Sequence, residues 1–202
     1  MSATNATEVT VTRGHGLLEP YLAKLRARQA NKKIPPHLRK GRILDIGCGS
    51  YPYFLSHIYF QEKFAIDQLS TAKAPPDIDL TILDLNTAPK LPYPDNFFSV
   101  ITMLAVTEHL NPNSLVSIFT EAHRTLQPGG ILMLTTPSAW SDTLLHVMAR
   151  LRLVSEEEIN EHVYAYTLPL LGWYFGRAGF EMNKVRFGYF EFMLNMWATA
   201  QR

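Results

Sequence analysis

Two glycines near the start of the chain have the spacing of a loop that holds a nucleotide. In "RILDIGCGSYPYF", Gly47 would permit a tight turn after an apolar run, and Gly49 would let the backbone approach a ligand without a Cβ atom in the way. The dinucleotide fingerprint G-x-G-x-x-G needs a third glycine, but this chain has Pro52, preceded by the bulky Tyr51. We therefore expect a ligand without a pyrophosphate, and we expect Pro52 in the first turn of the following helix.

Three aspartates that end or follow apolar runs indicate what the ligand contains. Asp45, two residues before Gly47, would repel a phosphate and attract an ammonium group. Asp67 follows Asp45 by 22 residues, close to the offset of about 20 at which an acid binds ribose hydroxyls. Asp84, at the end of a third run in "LDLN", is placed to accept a hydrogen bond from an adenine amino group. Adenine, ribose and a cationic amino acid without phosphate describe S-adenosylmethionine (SAM).

The elements that must position these residues alternate between strands and helices. A helix is expected over residues 16–33, with Pro20 in its first turn, and another over "LPLLGWYFGRAGF", ending near Gly179. The segment "SLVSIFTEAHRTL" carries a helical stripe and stops at "QPGG". Five apolar runs without polar alternation are expected as strands buried on both faces, and two final strands follow near the end of the chain: "RILDIG", "KFAID", "LTILDL", "FFSVITMLAV" and "GILMLTT", then "NKVRFGYF" and "MLNMWATA". This alternation predicts an α/β fold with a doubly wound parallel sheet.

Five motifs in this order resemble the class I, Rossmann-like SAM-dependent methyltransferases of the small single-domain type. The similarity runs from about Gly41 to Pro137 and is carried by "RILDIGCGS", "AIDQL", "ILDLN", "VTEHL" and "RTLQPGGILMLTTP". The resemblance implies a seven-stranded, mostly parallel sheet whose last strand is antiparallel, with helices on both faces. It also implies SAM as the cofactor and methyl transfer as the activity.

The resemblance assigns a part of the cofactor to each matching residue. It implies that Asp45, Gly47 and Gly49 face the methionine end, that Asp67 binds the ribose, that Asp84 and the Leu85 backbone hold the adenine, and that Leu104 and Ala105 lie near the sulfonium. The chain departs from the family pattern at two positions. Tyr51 replaces a glycine often found after "GCGS", and Ser99 replaces an aspartate that usually precedes the fourth strand.

Methyl transfer from a sulfonium is an in-line displacement, so positioning supplies much of the rate. An oxygen acceptor also needs a base to remove its proton, whereas an amine need only arrive neutral. His109, in "TEHL", and His162, in "EEEINEHVYAYT", are therefore the candidate catalytic residues. Residues 138–167 are a candidate lid over the acceptor site, and three aromatic side chains are candidate walls of the acceptor pocket: Trp140, Tyr164 and Tyr166.

Composition and charge limit the other possibilities. The 202 residues fit one domain, here divided into a leader with a helix over 1–40 and a methyltransferase domain over 41–202. Nine Lys and Arg lie between Thr12 and Arg42 against one acid, Glu19, and this basic segment could steer an acidic substrate, a nucleic acid or a membrane surface. The single cysteine, Cys48, excludes an internal disulfide and a cysteine-rich zinc site, so no metal is expected. We expect a cytoplasmic protein, because no membrane span or signal peptide is visible.

The sequence leaves several functions open. The favoured one is methylation of an oxygen or nitrogen in a small-molecule acceptor, such as a sugar or a secondary metabolite, by a protein that could form a homodimer. The alternatives are an RNA or protein methyltransferase that uses the basic helix, although a nucleic acid is not the expected partner, and a non-catalytic SAM-binding scaffold. Pro52 and Asp45 argue against a nicotinamide dehydrogenase.

Overall fold

The computed structural model describes residues 19–139 and 166–202. One seven-stranded sheet has the strand order β3-β2-β1-β4-β5-β7-β6. The strand β7 is antiparallel to both of its neighbours, and the other neighbouring pairs are parallel. This arrangement confirms the expected fold class. The strands are β1 (Arg42–Ile46), β2 (Glu62–Asp67), β3 (Ile78–Ile82), β4 (Phe98–Leu104), β5 (Leu126–Pro137), β6 (Val185–Phe190) and β7 (Asn195–Gln201).

Helices cover both faces of the sheet, because the central strands are apolar on both sides. Within β1, Ile43 packs in the core under the first two helices, while Leu44 packs in the core on the opposite face. The described helices are α1 (Glu19–Lys33), α2 (Tyr53–Ser56), α3 (Pro112–Thr125) and α4 (Leu168–Arg177), with short 3₁₀ helices at Pro36–Lys40, Thr107–His109 and Met182–Lys184. None of these helices, in the ranges given above, is long and apolar enough to cross a membrane.

The ends of α3 follow from its sequence. Asn111 caps the helix, since its side chain accepts a hydrogen bond from the backbone N of Asn113 at 2.9 Å, and Pro112 occupies the first turn. Its predicted apolar stripe is buried. The helix ends at Thr125, one residue earlier than expected, because Leu126 already belongs to β5. The predicted terminator "QPGG" therefore lies within the strand, where Gly129 has a φ of 82°.

The last third of the chain closes the sheet. Thr167 caps α4, whose apolar side packs against α3 and β6, and Gly179 follows the helix with a φ of 99°, close to the predicted end. The two predicted final strands form a hairpin, β6–β7. At its tip, three successive non-glycine residues, Glu191, Phe192 and Met193, have φ values of 51°, 53° and 69°. Such left-handed conformations are unfavourable for L-residues.

Three local expectations need correction or explanation. The strand β3 ends at Ile82, so Asp84 lies in the turn after the strand and does not end it. Pro52 occupies the N-cap position just before the short helix α2 and does not lie in its first turn. Ser99, the departure from the family pattern, has its Oγ 2.8 Å from the carbonyl oxygens of both Leu38 and Arg42, and this hydroxyl therefore ties β4 to the chain that enters β1.

Candidate functional site

The candidate residues lie together at the carboxyl ends of the parallel strands, which we call the carboxyl edge of the sheet. The strands β1, β2, β4 and β5 are parallel, so their carboxyl ends meet there. The chain order reverses at β1, which lies between β2 and β4. In open α/β sheets, ligands bind at such a topological switch point, beyond the carboxyl ends of the strands.

The glycine loop turns sharply at this point. Gly47 has a φ of 73° and donates its N–H to the carbonyl of Ile66 at 2.7 Å, which fastens the end of β1 to β2. A Cβ atom on Gly47 would lie 2.4 Å from Cγ2 of Val106, in the segment after β4. Two separate constraints therefore require glycine at this position: the positive φ and the close approach of Val106. Gly49 also has a positive φ, 74°.

Asp67 holds the same loop from the neighbouring strand. Its Oδ2 atom accepts a hydrogen bond from the N–H of Gly49 at 2.7 Å, and its Oδ1 atom accepts one from the N–H of Leu69 at 2.9 Å. Hydrogen bonds from neutral donors to a carboxylate are among the stronger ones in proteins. The carboxylate predicted to bind a ribose therefore lies directly against the glycine loop.

Asp45 is only 4% exposed at the end of β1. The hydroxyl of Thr102 donates a hydrogen bond to its Oδ1 atom at 2.6 Å. Burial raises the pKa of the Asp45 carboxyl to about 7, opposed by the hydrogen bond from Thr102 and assisted by the negative charge of Asp67. A buried carboxyl with this pKa, beside a second acid, would be stabilised in its ionised form by a cationic ligand.

Asp84 and Leu85 lie in the turn after β3. The N–H of Leu83 donates to the carbonyl of Asp67 at 2.9 Å, which places this turn beside the end of β2. The Oδ1 atom of Asp84 accepts a hydrogen bond from the N–H of Asn86 at 2.9 Å, so this carboxylate shapes its own turn. Leu85 is buried in the core beneath the turn.

The chain after β4 is held in a strained conformation. Leu104 ends the strand, and Ala105 has a φ of 56°, a left-handed conformation that is rare for alanine. The N–H of Ala105 donates to the carbonyl of Thr135 on β5 at 2.9 Å. Strained residues of this kind cluster at functional sites, where the surrounding structure imposes them.

The 3₁₀ helix Thr107–His109 contains a buried carboxylate that the sequence interpretation did not select. Glu108 is 2% exposed, and its Oε2 atom accepts hydrogen bonds from the hydroxyls of Thr136 at 3.0 Å and Thr107 at 3.3 Å. His109, the predicted catalytic residue, is half-buried at the end of the same turn. Glu108 therefore ties this turn to the end of β5.

Of the predicted acceptor-site residues, the structure describes Tyr166. This side chain is 1% exposed, and its hydroxyl donates to the carbonyl of Thr107 at 3.2 Å. Tyr166 thus joins the end of the 138–167 segment to the turn that carries Glu108. His162, Trp140 and Tyr164 lie outside the described residues.

The residues at this edge fit SAM in their chemistry. The cationic amino end needs a carboxylate, the ribose needs hydrogen-bond acceptors, and the close approach of the backbone needs glycines; the loop and the ends of β1 and β2 supply all three. Among residues 19–139 and 166–202, no group of three or more His, Cys, Asp or Glu could hold a metal ion.

A family model described as a methyltransferase domain matches residues 16–185. The chain belongs to this family. The match includes the glycine loop, the acids at the ends of β1 and β2, and the segment after β4. It confirms the class I SAM-dependent methyltransferase that the motifs indicated. No curated protein matches the sequence.

Solved structures show the same fold at low sequence identity. A SAM-dependent methyltransferase from Archaeoglobus fulgidus superposes with a TM-score of 0.69 at 15% identity, over 92% of this chain and 98% of that one. One from Mesorhizobium loti has a TM-score of 0.65 at 15% identity, over 90% and 100%. A Thermotoga maritima protein described as a SAM-dependent methyltransferase, possible histamine N-methyltransferase, has a TM-score of 0.67 at 17% identity, over 92% and 91%.

Proposed function

We propose that this protein transfers a methyl group from SAM to an oxygen or nitrogen atom of a small-molecule acceptor. The observation that carries the proposal is the pair of buried carboxylates, Asp45 and Asp67, which flank a loop with two left-handed glycines. The loop between Gly47 and Pro52 contains no basic side chain that would favour a phosphate. When bound, SAM supplies an electrophilic methyl group on a sulfonium.

Each residue at the edge has a proposed part in holding SAM. Asp45 would accept the ammonium group, and Gly47 and Gly49 would let the methionine end approach the backbone. Asp67, which accepts backbone hydrogen bonds from Gly49 and Leu69, would accept hydrogen bonds from the ribose hydroxyls. The turn after β3 would hold the adenine through Asp84 and Leu85. The strained segment after β4, with Leu104 and Ala105, would lie near the sulfonium.

The acceptor side is proposed around the 3₁₀ helix after β4. His109 would remove a proton from an acceptor hydroxyl, and Glu108 would position the turn through its bonds to β5. Residues 138–167 would close over the acceptor, with His162 as a second candidate base and Trp140, Tyr164 and Tyr166 as walls. In support of this arrangement, Tyr166, near the end of the segment, donates a hydrogen bond from its hydroxyl to the backbone of that turn.

Calorimetric titration tests the cofactor proposal before any acceptor is known. We expect S-adenosylhomocysteine to bind and NAD not to bind. Binding of NAD alone would overturn the proposal. The variant Asp67→Ala should lose affinity for S-adenosylhomocysteine, whereas Asp77→Ala, which removes an exposed carboxylate just before the neighbouring strand β3, should keep it.

Activity requires a second experiment. A panel of small alcohols, sugars, phenols and amines is incubated with SAM, and the release of S-adenosylhomocysteine is measured. Turnover with one class that is lost in His109→Ala but not in His37→Ala, which replaces a histidine at the opposite edge of the sheet, would support the proposed site. Cofactor binding without turnover for any acceptor would instead indicate a non-catalytic SAM-binding protein.

A further inference from the structure

An aromatic side chain stands almost fully in solvent at the carboxyl edge of the sheet. Phe192, at the tip of the β6–β7 hairpin, is 97% exposed, and the neighbouring Met193 is 53% exposed. Because Asn195, at the start of β7, pairs with Pro137, at the end of β5, the tip projects from the edge that carries the cofactor site. Gly, Pro, Asn, Asp and Ser dominate tight turns, so two adjacent apolar side chains exposed at this tip are unusual.

The backbone holds this tip firmly in spite of its strain. Three residues, Glu191 to Met193, share the left-handed conformation, and the N–H of Leu194 closes the turn on the carbonyl of Glu191 at 3.0 Å. The hydroxyl of Ser138 lies 2.9 Å from the carbonyl of Met193, which fixes the tip to the end of β5. The exposed side chains are therefore presented on a rigid support.

The helix α1 brings basic residues to the same edge. Burial raises the pKa of Glu191, and the positive charge of Arg26 opposes that rise, so the middle of α1 lies beside the tip of the hairpin. Further along the helix, Lys33 Nζ lies 3.6 Å from the ring centre of Trp197 on β7. The helix thus begins at the carboxyl edge and runs toward the amino edge, where the following 3₁₀ helix meets Ser99.

The outer face of α1 is basic. Lys24, Arg28 and Lys32 are exposed and four residues apart, so they form one stripe along the helix, and Tyr21 is exposed in the same row. The opposite face, with Ala30, is buried against the sheet, as is Ile34 just after the helix. The helix itself therefore cannot insert an apolar face into a membrane, and its contribution to binding is electrostatic.

We propose that this edge docks on an anionic lipid bilayer, with Phe192 and Met193 inserted among the headgroups and acyl chains and with Lys24 and Arg28 facing the anionic headgroups. Apolar tips and basic side chains act together in such binding, because apolar burial and attraction to anionic lipids add. A single-stranded nucleic acid could also stack a base on Phe192, but the neighbouring Met193 has no ring to stack on, and two adjacent apolar side chains favour a bilayer. The docked orientation turns the cofactor edge toward the bilayer, so the acceptor of the proposed function would reach the site from the lipid surface.

Sedimentation with lipid vesicles tests the docking without SAM or an acceptor, so its failure is distinct from failure of the proposed function. We expect binding to vesicles of equal phosphatidylcholine and phosphatidylserine, weak binding to phosphatidylcholine alone, and loss of binding in high salt. Phe192→Ser should weaken binding roughly tenfold or more. Tyr59→Ser, which removes an aromatic side chain that is 73% exposed near the amino edge, should leave binding unchanged.

Charge variants provide the second arm. Lys24→Gln with Arg28→Gln should weaken binding to the anionic vesicles by about fivefold for each charge removed. The matched pair Lys40→Gln with Lys184→Gln removes two exposed charges at the amino edge and should have little effect. Equal binding to both vesicle types, or unchanged binding of Phe192→Ser with a normal melting temperature, would overturn the proposal. Binding of single-stranded RNA without binding to either kind of vesicle would assign the stripe to a nucleic acid instead.

Discussion

The Oδ2 atom of Asp67 lies 2.7 Å from the backbone nitrogen of Gly49, so the carboxylate that ends β2 holds the loop that follows β1. The second oxygen of the same carboxylate accepts the N–H of Leu69. The residue expected to bind the cofactor therefore also shapes the loop that receives it, and the two roles can be separated only by measuring stability and binding together.

Replacing Asp67 by alanine should lower both quantities. Two hydrogen bonds to a charged group are lost, each worth about 1.5–3 kcal/mol. We expect the free energy of unfolding to fall by at least the worth of one such bond, roughly 1.5–3 kcal/mol. The affinity for S-adenosylhomocysteine should fall at least about tenfold. Denaturant unfolding and calorimetric titration measure the two effects. In Asp77→Ala, which loses only a surface ion pair with Lys63, a change of more than about 1 kcal/mol would contradict this account.

The variant Gly47→Ala should lower the free energy of unfolding by more than the cost of a left-handed conformation alone. At Gly129, which has a φ of 82°, a Cβ atom would meet no atom closer than 3.9 Å, so Gly129→Ala isolates the conformational cost of about 1–2 kcal/mol. At Gly47 the new Cβ atom would also overlap Val106, at 2.4 Å. Adding Val106→Ala to Gly47→Ala should therefore recover stability in a double-mutant cycle. A cycle with no coupling energy would show that the contact with Val106 is unimportant.

The pKa of Asp45 predicts two opposite dependences on pH. In the ligand-free protein the carboxyl keeps a proton between its ordinary pKa of 3.8 and about 7, whereas the unfolded chain releases it. The protonated Asp45 carboxyl therefore adds its full contribution to the free energy of unfolding at low pH. This contribution is lost as the pH rises through that window. Affinity for S-adenosylhomocysteine should change in the other direction and increase up to about pH 7, because its ammonium group favours the ionised carboxylate.

Asp45→Asn tests both dependences. The amide oxygen can still accept the hydrogen bond from Thr102, but the side chain no longer titrates. At pH 8 the ligand-free variant should be more stable than the wild type by on the order of 2–4 kcal/mol and should bind S-adenosylhomocysteine more weakly. Unfolding curves and titrations at several pH values provide the comparison. Identical pH profiles of binding in the two proteins would exclude Asp45 as the group responsible.

Removing one donor to Glu108 should destabilise the segment after β4. In Thr136→Val the buried carboxylate loses its hydrogen bond of 3.0 Å, and we expect a cost of about 1–3 kcal/mol. Thr120→Val, on the exposed face of α3, provides a control with the same change of side chain. Comparable losses of stability in the two variants would show that Glu108 does not depend on Thr136.

Much of this site could be predicted because its residues are consecutive in the sequence. The glycine loop, the acids at the ends of β1 and β2, and the alternation of strands and helices are local patterns. The parallel sheet then brings the strand ends together without further information. The boundary of β3 was less well predicted. The apolar run "LTILDL" continues to Leu85, but β3 ends at Ile82, and Leu85 enters the core from the turn that follows the strand.

The contacts that adjust the site could not be predicted, because each joins residues far apart in the chain. Thr102 is a polar residue within the apolar run of β4, which was the one signal of a specific partner, but its bond to Asp45 depends on the register of two strands. Glu108 lies in the same motif as His109, but the hydroxyl that satisfies its buried carboxylate belongs to Thr136 on β5. Val106 lies beside Gly47 only in the folded chain.

The position of β7 between β5 and β6 determines the order in which the sheet can be assembled. During synthesis β6 leaves the ribosome before β7, yet among the described strands β7 is its pairing partner. Until the hairpin forms, β6 has no place beside the growing sheet, and the edge of β5 is open to other chains. The hairpin that carries Phe192 must therefore form as a unit before the sheet of the described residues can close.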